Sequence, residues 1–504
     1  MSDQVVEADI VIIGSGAGGG EAAKLLSKHF NVVIVEEGPH RTSNDFKMKE
    51  SIAYPELYQD SGARLTVDGA IKILQGKSVG GSTTVNWTSS FRTPQETLLH
   101  WNKEFGIHTL TQDSLLSHFL RIEDEYGITP WDGEPNLNNQ LMANGMSKLG
   151  IRHGVIPRNV KGCLNLGYCG MGCPTNAKQS TLINAIPRAI ENGAKLFSQF
   201  RVERLIWKND KIVEAIAYSV TPTGKIEENK KTLTLKAQHF LLCGGGINTP
   251  ILLMKSDLPD PYFNIGNRTF LHPVTVSLAL FNQKVEAYQG APQSVYSDQF
   301  LWPEDDSLGF KIEAPPIHPA LTSSLINQHG SEASEMMKRF SHSQGMIALG
   351  RDGFHEQAPG GKIVMTSNGR FGLDYPWNDY LTNGYKKALL TMASIQFEAG
   401  ARSVYPLHRF ARSFERLGEV KSFLDSCSVD RYDLQIVSAH VMGGAAMGSD
   451  EKNSVVDNDG RFHHMSNLFI FDGSLFPTSL GVNPTESILS FSSLLTHKLI
   501  ERIK

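Results

Sequence analysis

The hydrophobic and polar positions of the chain fall into two patterns. In the first 250 residues, short apolar runs such as residues 10–13 and 239–242 end at glycine-rich turns that open helical stretches. This order predicts buried parallel strands joined by helices. From about 274 to 430, short alternating runs separated by Gly, Pro and Asp predict an antiparallel sheet, with a long amphipathic helix at 379–399 covering it. The last seventy or so residues return to glycine-rich loops and end in a predicted helix at 488–503.

These patterns predict an α/β fold with two domains. The first is discontinuous: residues 1–273 and 431–504 would form a doubly wound parallel sheet. The second, residues 274–430, would be an α+β substrate or cap domain built on the antiparallel sheet. A cysteine-rich loop lies at 160–180 in the first part, and the candidate catalytic residues lie in the C-terminal part.

The first apolar run enters a glycine turn with the spacing of a dinucleotide site. Gly14, Gly16 and Gly19 follow the G-x-G-x-x-G pattern, and a second strand ends at Glu36. Gly14 permits the tight turn, Gly16 lets backbone approach a pyrophosphate, and Gly19 allows close packing of helix on strand. An acid at the position of Glu36 binds the adenosine ribose 2′-OH. The sequence therefore predicts a Rossmann-like dinucleotide site, without separating FAD from NAD.

Composition narrows the partners. The 504 residues carry 48 basic and 52 acidic side chains, a net charge of -4, so neither nucleic acid nor an anionic membrane is expected as a partner. No apolar run reaches the length of a membrane span. The first strand starts within ten residues of Met1, leaving no room for a cleavable signal peptide, and the cysteine count of five is odd. We expect a cytoplasmic protein.

Later loops hold further candidate chemistry. A second strand-like run leads into Gly80 and Gly81, where backbone is able to lie against a flat ring system. His440 stands in a loop flanked by glycines, and residues in loops serve chemistry more often than they serve packing. Asn483 precedes Pro484, which we read as the first position of a helix whose positive end is able to face a ligand.

Taken together, these motifs resemble the glucose–methanol–choline (GMC) oxidoreductases, FAD-dependent enzymes that oxidise alcohols. The resemblance spans nearly the whole chain, and the choline, cholesterol and long-chain alcohol branches are the most similar. It implies two catalytic residues, His440 and Asn483. It also implies the following FAD-binding residues: Gly14, Ser15, Gly16 and Gly19 at the pyrophosphate turn, Glu36 at the ribose, Gly80, Gly81, Ser82 and Asn86 along the flavin ring, Val202 at the adenine, Gly245 in the second nucleotide turn, Asp472 and Gly473 at the ribityl chain, and Pro484 and Thr485 at the pyrimidine edge.

The resemblance also implies a mechanism. A hydride leaves the alcohol carbon for flavin N5 while the hydroxyl proton leaves for a base. Neutral imidazole, with an ordinary pKa of about 6.5, suits His440 for that role. Asn483 is not a base, so its amide N–H would hold the substrate oxygen and stabilise developing negative charge.

The loop containing Cys163, Cys169 and Cys173 is open to several interpretations. It fits a reduced, partly buried loop. By resemblance to some bacterial GMC dehydrogenases it fits a [3Fe–4S] cluster, which would make the enzyme a dehydrogenase with an electron-transfer partner. A disulfide or a zinc site is the third interpretation, although three sulfurs without a nearby fourth ligand suit zinc poorly.

Three functional hypotheses follow. The first is an FAD-dependent alcohol oxidase or dehydrogenase; the second domain is rich in Phe, Leu, Met and Trp, which favours an apolar alcohol. The second is an NAD-dependent dehydrogenase that shares only the fingerprint from Gly14 to Glu36. The third is a flavoprotein without catalytic activity, against which His440 and Asn483 both argue.

Overall fold

The computed structural model describes residues 3–326 and 328–504. The strands of this part of the chain are, in order, β1 (Gln4–Ile13), β2 (Val32–Glu36), β3 (Arg64–Leu65), β4 (Ile71–Ile73), β5 (Ile128–Pro130), β6 (Gly154–Val155), β7 (Pro157–Asn159), β8 (Lys195–Ser198), β9 (Phe200–Lys208), β10 (Lys211–Ser219), β11 (Thr232–Leu242), β12 (Thr269–Phe270), β13 (Val274–Leu280), β14 (Val295–Ser297), β15 (Phe310–Glu313), β16 (Ser343–Gly350), β17 (Lys362–Met365), β18 (Phe371–Asp374), β19 (Ser403–Pro406), β20 (Ile436–Ser438), β21 (Met442–Gly443) and β22 (Leu468–Ile470).

The α-helices of the same residues are α1 (Ala17–Leu26), α2 (Glu50–Leu57), α3 (Gln95–Phe105), α4 (Gln112–Tyr126), α5 (Leu137–Lys148), α6 (Ala185–Glu191), α7 (Gly245–Lys255), α8 (Pro319–Ser323), α9 (Gly330–Lys338), α10 (Asp379–Glu398), α11 (Leu417–Ser426) and α12 (Thr485–Ile503).

The first sheet is the predicted nucleotide-type sheet. Its order is β8-β2-β1-β11-β10-β9, and β22 also pairs with β11. The pairs β8–β2, β2–β1, β1–β11 and β11–β22 are parallel, whereas β10 pairs antiparallel with β11 and β9. Helix α1 packs against α6 and α12 on this sheet. The prediction of an α/β fold with a Rossmann-like sheet is confirmed.

Glycines allow α1 to lie unusually close to the strand ends. A Cβ at Gly19 would lie 2.0 Å from the carbonyl oxygen of Gly14, and one at Gly18 would lie 1.6 Å from that of Phe471. Gly14 itself has a φ of +102°, and its N–H bonds to the carbonyl of Val35. These contacts fix the turn between β1 and α1, and they add Gly18 to the glycines that the fingerprint identifies.

The second sheet is mixed and mostly antiparallel. Its order is β3-β4-β20-β13-β16-β15-β14-β6, with β19 also paired to β13. Helices α5 and α10 pack together, and α10 covers β13 and β16. The sheet takes β3, β4, β6 and β20 from outside residues 274–430, and β20 pairs in parallel with β4. The two predicted domains therefore share strands across their predicted boundaries.

Backbone conformation and pairing set several element boundaries. Strands β8 and β9 are separated at Gln199, which has a φ of +60°. Strand β10 pairs antiparallel with the start of the central strand β11. The last helix starts at Thr485 with Pro484 as its N-cap residue, so placing Pro484 at the first helical position was wrong.

Each sheet has its own buried apolar core. One surrounds β1, β2 and β11, and the other surrounds β13, β16 and α10. Among the described residues, no helix combines the length and the apolar character needed to cross a lipid bilayer. The remaining space between the two cores is the cavity described next.

Candidate active site

One cavity of about 600 Å³ runs from the glycine turn of the first sheet to the inner face of the second. Its walls contain most of the residues predicted to bind a dinucleotide or to act in catalysis. These are Gly14, Gly16, Glu36, Gly81, Ser82, Asn86, Val202, Gly245, His440, Asp472, Gly473, Asn483, Pro484 and Thr485. Ser15, Gly19 and Gly80 lie behind the wall, where they support the turn.

Two glycines leave open space where backbone must approach a ligand. A Cβ at Gly16 would meet nothing nearer than the Cα of Gly81 at 3.9 Å, and one at Gly245 nothing nearer than the Nε2 of Gln75 at 3.7 Å. By contrast, Gly81 packs on the first turn, since its Cβ would lie 2.8 Å from the Cα of Gly16. Because α1 and α7 both begin at this point, their N–H groups are suited to phosphate oxygens. The turns fit a dinucleotide.

Glu36 is held by the protein as well as facing the cavity. Its Oε2 accepts bonds from the N–H and the hydroxyl of Ser15 at 3.0 and 2.7 Å, and its Oε1 accepts from the N–H of Gly38 at 2.8 Å. Burial raises the pKa of this carboxyl, and the three donors oppose that effect. The same Ser15 hydroxyl accepts from the N–H of Gly80 at 3.0 Å, which ties the two glycine loops together. Remaining lone pairs of Oε1 suit a ribose hydroxyl.

Asp472 connects the second glycine turn to the C-terminal segment. Its Oδ2 accepts from the Gly245 N–H at 2.8 Å and from the Thr249 hydroxyl at 2.6 Å. Its Oδ1 accepts from the N–H and hydroxyl of Ser474 at 2.7 and 2.5 Å. Burial raises the pKa of Asp472. Four protein donors use the bonding capacity of the carboxylate, so this side chain orders the turn and contacts with a ligand fall to nearby backbone.

The loop after Gly80 presents polar groups to the middle of the cavity. The Nδ2 of Asn86 donates to the hydroxyl of Thr485 at 3.3 Å, and the buried Oδ1 of Asn86 has no hydrogen-bond partner. The hydroxyl of Ser82 accepts from the N–H of Gly76 at 2.9 Å. Pro484 and Thr485 bring the positive end of α12 to the same wall. An unpartnered acceptor beside a helix N-terminus fits the polar edge of a flavin ring.

His440 lies after β20 and is paired with a second histidine. Its Nδ1 is 3.1 Å from the Nδ1 of His272, which is fully buried just before β13. Burial lowers the pKa of His440 to about 4, with a smaller raising effect from Glu313 and a lowering effect from Lys311. The imidazole is therefore neutral at pH 7. For Nε2 to take a proton, Nδ1 must carry hydrogen, and His272 must then accept it.

Asn483 contacts a buried ion pair that the sequence analysis did not predict. Its Oδ1 accepts from the Nζ of Lys311 at 3.0 Å, and its Nδ2 donates to the Oε2 of Glu313 at 3.3 Å. Lys311 Nζ and Glu313 Oε1 are 2.9 Å apart, and both side chains are fully buried. The amide of Asn483 has two N–H groups. One is bonded to Glu313, which leaves the other for the predicted contact with the substrate oxygen.

Beyond these polar groups the cavity has mainly apolar walls, to which Gln293, Thr322 and Arg370 add polar groups. Its walls there come mainly from the second sheet and the segment after β15: Val274, Val276, Leu278, Pro315, Pro316, Ile317, Leu321, Leu325, Ile347, Leu349, Phe371, Leu407 and Val437. Alternate residues of β13 face this space, as a strand period of two requires. The site therefore places two polar groups, His440 and Asn483, at the end of an aliphatic channel.

The cysteine loop packs against the loop that carries Asn86. Buried Lys178 donates to the carbonyls of Asn86 and Cys169 at 3.1 and 2.7 Å. All five cysteines are free, and burial raises the pKa of Cys169. Within residues 3–326 and 328–504, no group of three His, Cys, Asp or Glu side chains is arranged to hold a metal ion. Cys163 and Cys173 contact Asn165 and Thr175 instead, so the structure does not support the iron–sulfur interpretation.

Two parts of the chain match models of one protein family, the GMC oxidoreductases. The sequence description of the N-terminal part of GMC oxidoreductases matches residues 54–274, and that of the C-terminal part matches residues 366–492. Together they cover more than half of the chain and include Asn86, Val202, His440 and Asn483.

Individual relatives are similar over nearly the whole chain. The long-chain-alcohol oxidase FAO1 of Arabidopsis thaliana is 27% identical over 528 residues, an alignment that includes 99% of this chain and 67% of the plant protein. An uncharacterized GMC-type oxidoreductase of Mycobacterium tuberculosis is 29% identical over 509 residues, covering 100% of this chain and 77% of its own.

Solved structures share the fold. Pyridoxine 4-oxidase from Mesorbium loti superposes with a TM-score of 0.69 at 16% identity, covering 98% of this chain and 99% of the oxidase. The Aspergillus oryzae formate oxidase R554K variant, solved to examine FAD modification, superposes with a TM-score of 0.72 at 13% identity, covering 100% of this chain and 99% of its own.

Proposed function

Because this chain belongs to the GMC oxidoreductase family, we propose that it oxidises the CH–OH group of an apolar alcohol with FAD as its redox cofactor. The observation that carries the proposal is one cavity with glycine turns at one end and His440 and Asn483 beside an apolar channel at the other. Such an arrangement would bring a cofactor ring and an alcohol together at the two polar side chains.

The residues that would hold FAD follow from the cavity walls. Gly14, Gly16 and Gly245 would border the pyrophosphate, Glu36 the ribose, and Asn86 with Thr485 the flavin ring. When bound, FAD supplies the acceptor for the hydride of the alcohol carbon. The protein's part is to orient the alcohol, to exclude water and to remove the hydroxyl proton.

His440 is the proposed base. The low pKa that burial gives it keeps the ring neutral, and its Nδ1 is committed to His272, so Nε2 is the nitrogen left for the alcohol proton. An imidazolium formed there would be stabilised by donation to His272, while Glu313 and Lys311 act on it in opposite directions. A positioned base of this kind contributes roughly 10²–10⁴-fold in rate.

Asn483 is the proposed holder of the substrate oxygen. With one amide N–H given to Glu313, the second N–H is left to donate to the oxygen as the proton leaves. A preorganised donor of this kind is worth roughly 10²–10³-fold. The donor and the base would act on the same hydroxyl from two sides.

The channel supports an apolar alcohol as substrate. Aliphatic walls such as Val276, Leu278 and Leu349 offer no partner for a charged or sugar-like chain. Each buried methylene contributes about 0.8 kcal/mol, which is about fourfold in affinity. The similarity to long-chain-alcohol oxidases, at 27% identity, leans the same way. We expect the specificity constant to rise with the length of a primary alcohol until the channel is filled.

The proposal is tested by the absorption spectrum of the purified protein. We expect flavin bands at about 450 nm that survive desalting and that bleach when 1-decanol is added without oxygen. Rapid return of colour in air would identify an oxidase, and slow return a dehydrogenase that needs another acceptor. A colourless protein that reduces NAD⁺ would overturn the proposal, as would a stable flavin spectrum that no alcohol bleaches.

A further inference from the structure

Lys311 and Glu313 form a buried ion pair that contacts Asn483 directly. Both side chains project from the same face of β15, because they are two residues apart in a strand. Lys311 Nζ lies 3.1 Å from the centroid of the Phe91 ring and 4.8 Å from that of Tyr296. Burial lowers the pKa of Lys311, and the carboxylate at 2.9 Å, the two ring faces and the amide oxygen oppose that effect by stabilising the ammonium form.

The bonding properties of the pair determine which way the Asn483 amide points. A lysine ammonium only donates hydrogen bonds, and a carboxylate only accepts them. Lys311 therefore donates to the amide oxygen of Asn483 at 3.0 Å, and Glu313 accepts from an amide N–H at 3.3 Å. If the amide were turned over, its NH₂ would face the ammonium and its oxygen the carboxylate, so two attractive contacts would become repulsive.

Resting on the proposed function, we propose that Lys311 and Glu313 are positioning residues: they lock the amide of Asn483 in the one orientation that leaves an N–H for the substrate oxygen. Their charges cancel, so the pair gives direction to the amide without a net charge beside His440. Neither residue needs to touch the substrate for this role.

The sharpest test is a double-mutant cycle with Asn483. Removing one partner alone would leave an unpaired buried charge and risk misfolding. The variant K311M/E313Q keeps the site neutral and keeps an acceptor at 313, but it loses the donor to the amide oxygen. K387M/D305N is the matched control, since it removes an exposed Lys–Asp pair of the same domain. Each variant is prepared as the FAD-loaded enzyme, with its flavin content measured.

In anaerobic flavin reduction by 1-decanol, we expect K311M/E313Q to lower the limiting rate about 10- to 100-fold and to raise the half-saturating alcohol concentration no more than about 10-fold, since the contact with the oxygen strengthens as the hydroxyl proton leaves. The triple variant K311M/E313Q/N483A should have a limiting rate within about twofold of that of N483A alone. Rates of K311M/E313Q within twofold of the parent, or effects that multiply with N483A, would overturn the proposal.

A second readout does not depend on turnover. The tertiary alcohol 2-methyl-2-decanol lacks the hydrogen that oxidation removes, so it binds without reacting. A difference in its Kd between variants then measures the change in the hydroxyl contact. We expect its Kd, measured calorimetrically, to rise about 2- to 10-fold in K311M/E313Q, the loss of one hydrogen bond, and not to rise further in the N483A background. Equal Kd values in all variants would contradict the proposal. Parent enzyme that binds the tertiary alcohol but is not reduced by 1-decanol would refute the proposed function instead.

Discussion

Replacing Gly16 by alanine should weaken cofactor binding without unfolding the protein. The nearest heavy atom to a Cβ at this position is the Cα of Gly81 at 3.9 Å, an ordinary contact, and the backbone φ of -63° suits alanine. We therefore expect the free energy of unfolding of the apoprotein to change by less than about 0.5 kcal/mol. A methyl group placed where a pyrophosphate must pack costs about 1–3 kcal/mol, or about 5- to 150-fold in the Kd of FAD.

Two other glycines serve as controls. Gly418 lies in α11 with nothing within 4 Å of a Cβ, so G418A should bind FAD like the parent. Gly19 has no such space, because its Cβ would lie 2.0 Å from the carbonyl of Gly14, so G19A should fail to fold or lose several kcal/mol of stability. The assay is a fluorescence titration of apoprotein with FAD, beside denaturant unfolding. Folded G16A apoprotein that binds FAD with the parent's Kd would refute the placement of the pyrophosphate.

Three further predictions concern single side chains. Burial and the neighbouring Glu123 raise the pKa of Glu486 to about 8, above the unfolded value of about 4.3, so the folded protein loses stability as pH rises between these two values. The Tm of E486Q minus that of the parent should therefore grow from about pH 5 to about pH 8, and a constant difference would contradict this prediction. The substitution His272→Leu removes the hydrogen-bond acceptor for the Nδ1–H of His440 and should slow anaerobic flavin reduction by about 10-fold or more, whereas His272→Gln should recover part of the rate. Equal rates in the two variants would argue that His272 does not set the tautomer of His440. Val276→Phe narrows the channel and should lower kcat/KM for 1-dodecanol far more than for 1-butanol, which is refuted if both fall equally.

The sequence predicted those parts of the fold in which the local residue pattern and the tertiary contacts favour the same structure. Gly14 is recognisable because its φ of +102° and its closeness to the Cys243 carbonyl admit no side chain. Long helices such as α10 carry their own periodicity. The strand-like run before Gly80 contains β4, as expected. The three-residue strand β20 carries no such signal, because it is too short to show an alternation, and its pairing with β4 and β13 makes it a strand.

The candidate site was predicted only as far as its motifs reach. His440 and Asn483 stand in glycine- and proline-marked loops, and the structure brings them to one cavity. Lys311 and Glu313 alternate with Phe310 and Ile312, a pattern that ordinarily indicates a strand with its polar face in water. The signal that could have found them is their opposite charge two residues apart, but nothing in the sequence tells that this face is turned inward against Asn483.

The central claim is that His440 removes the alcohol proton at a flavin site, and H440A tests it most directly. The variant and the control H153A, which alters an exposed histidine, are loaded with FAD and mixed anaerobically with 1-decanol in a stopped-flow instrument. We predict that H440A retains its flavin and its absorption at about 450 nm but is reduced at least ~100-fold more slowly, while H153A matches the parent. Reduction of H440A at the parent's rate, with flavin bound, would contradict the account.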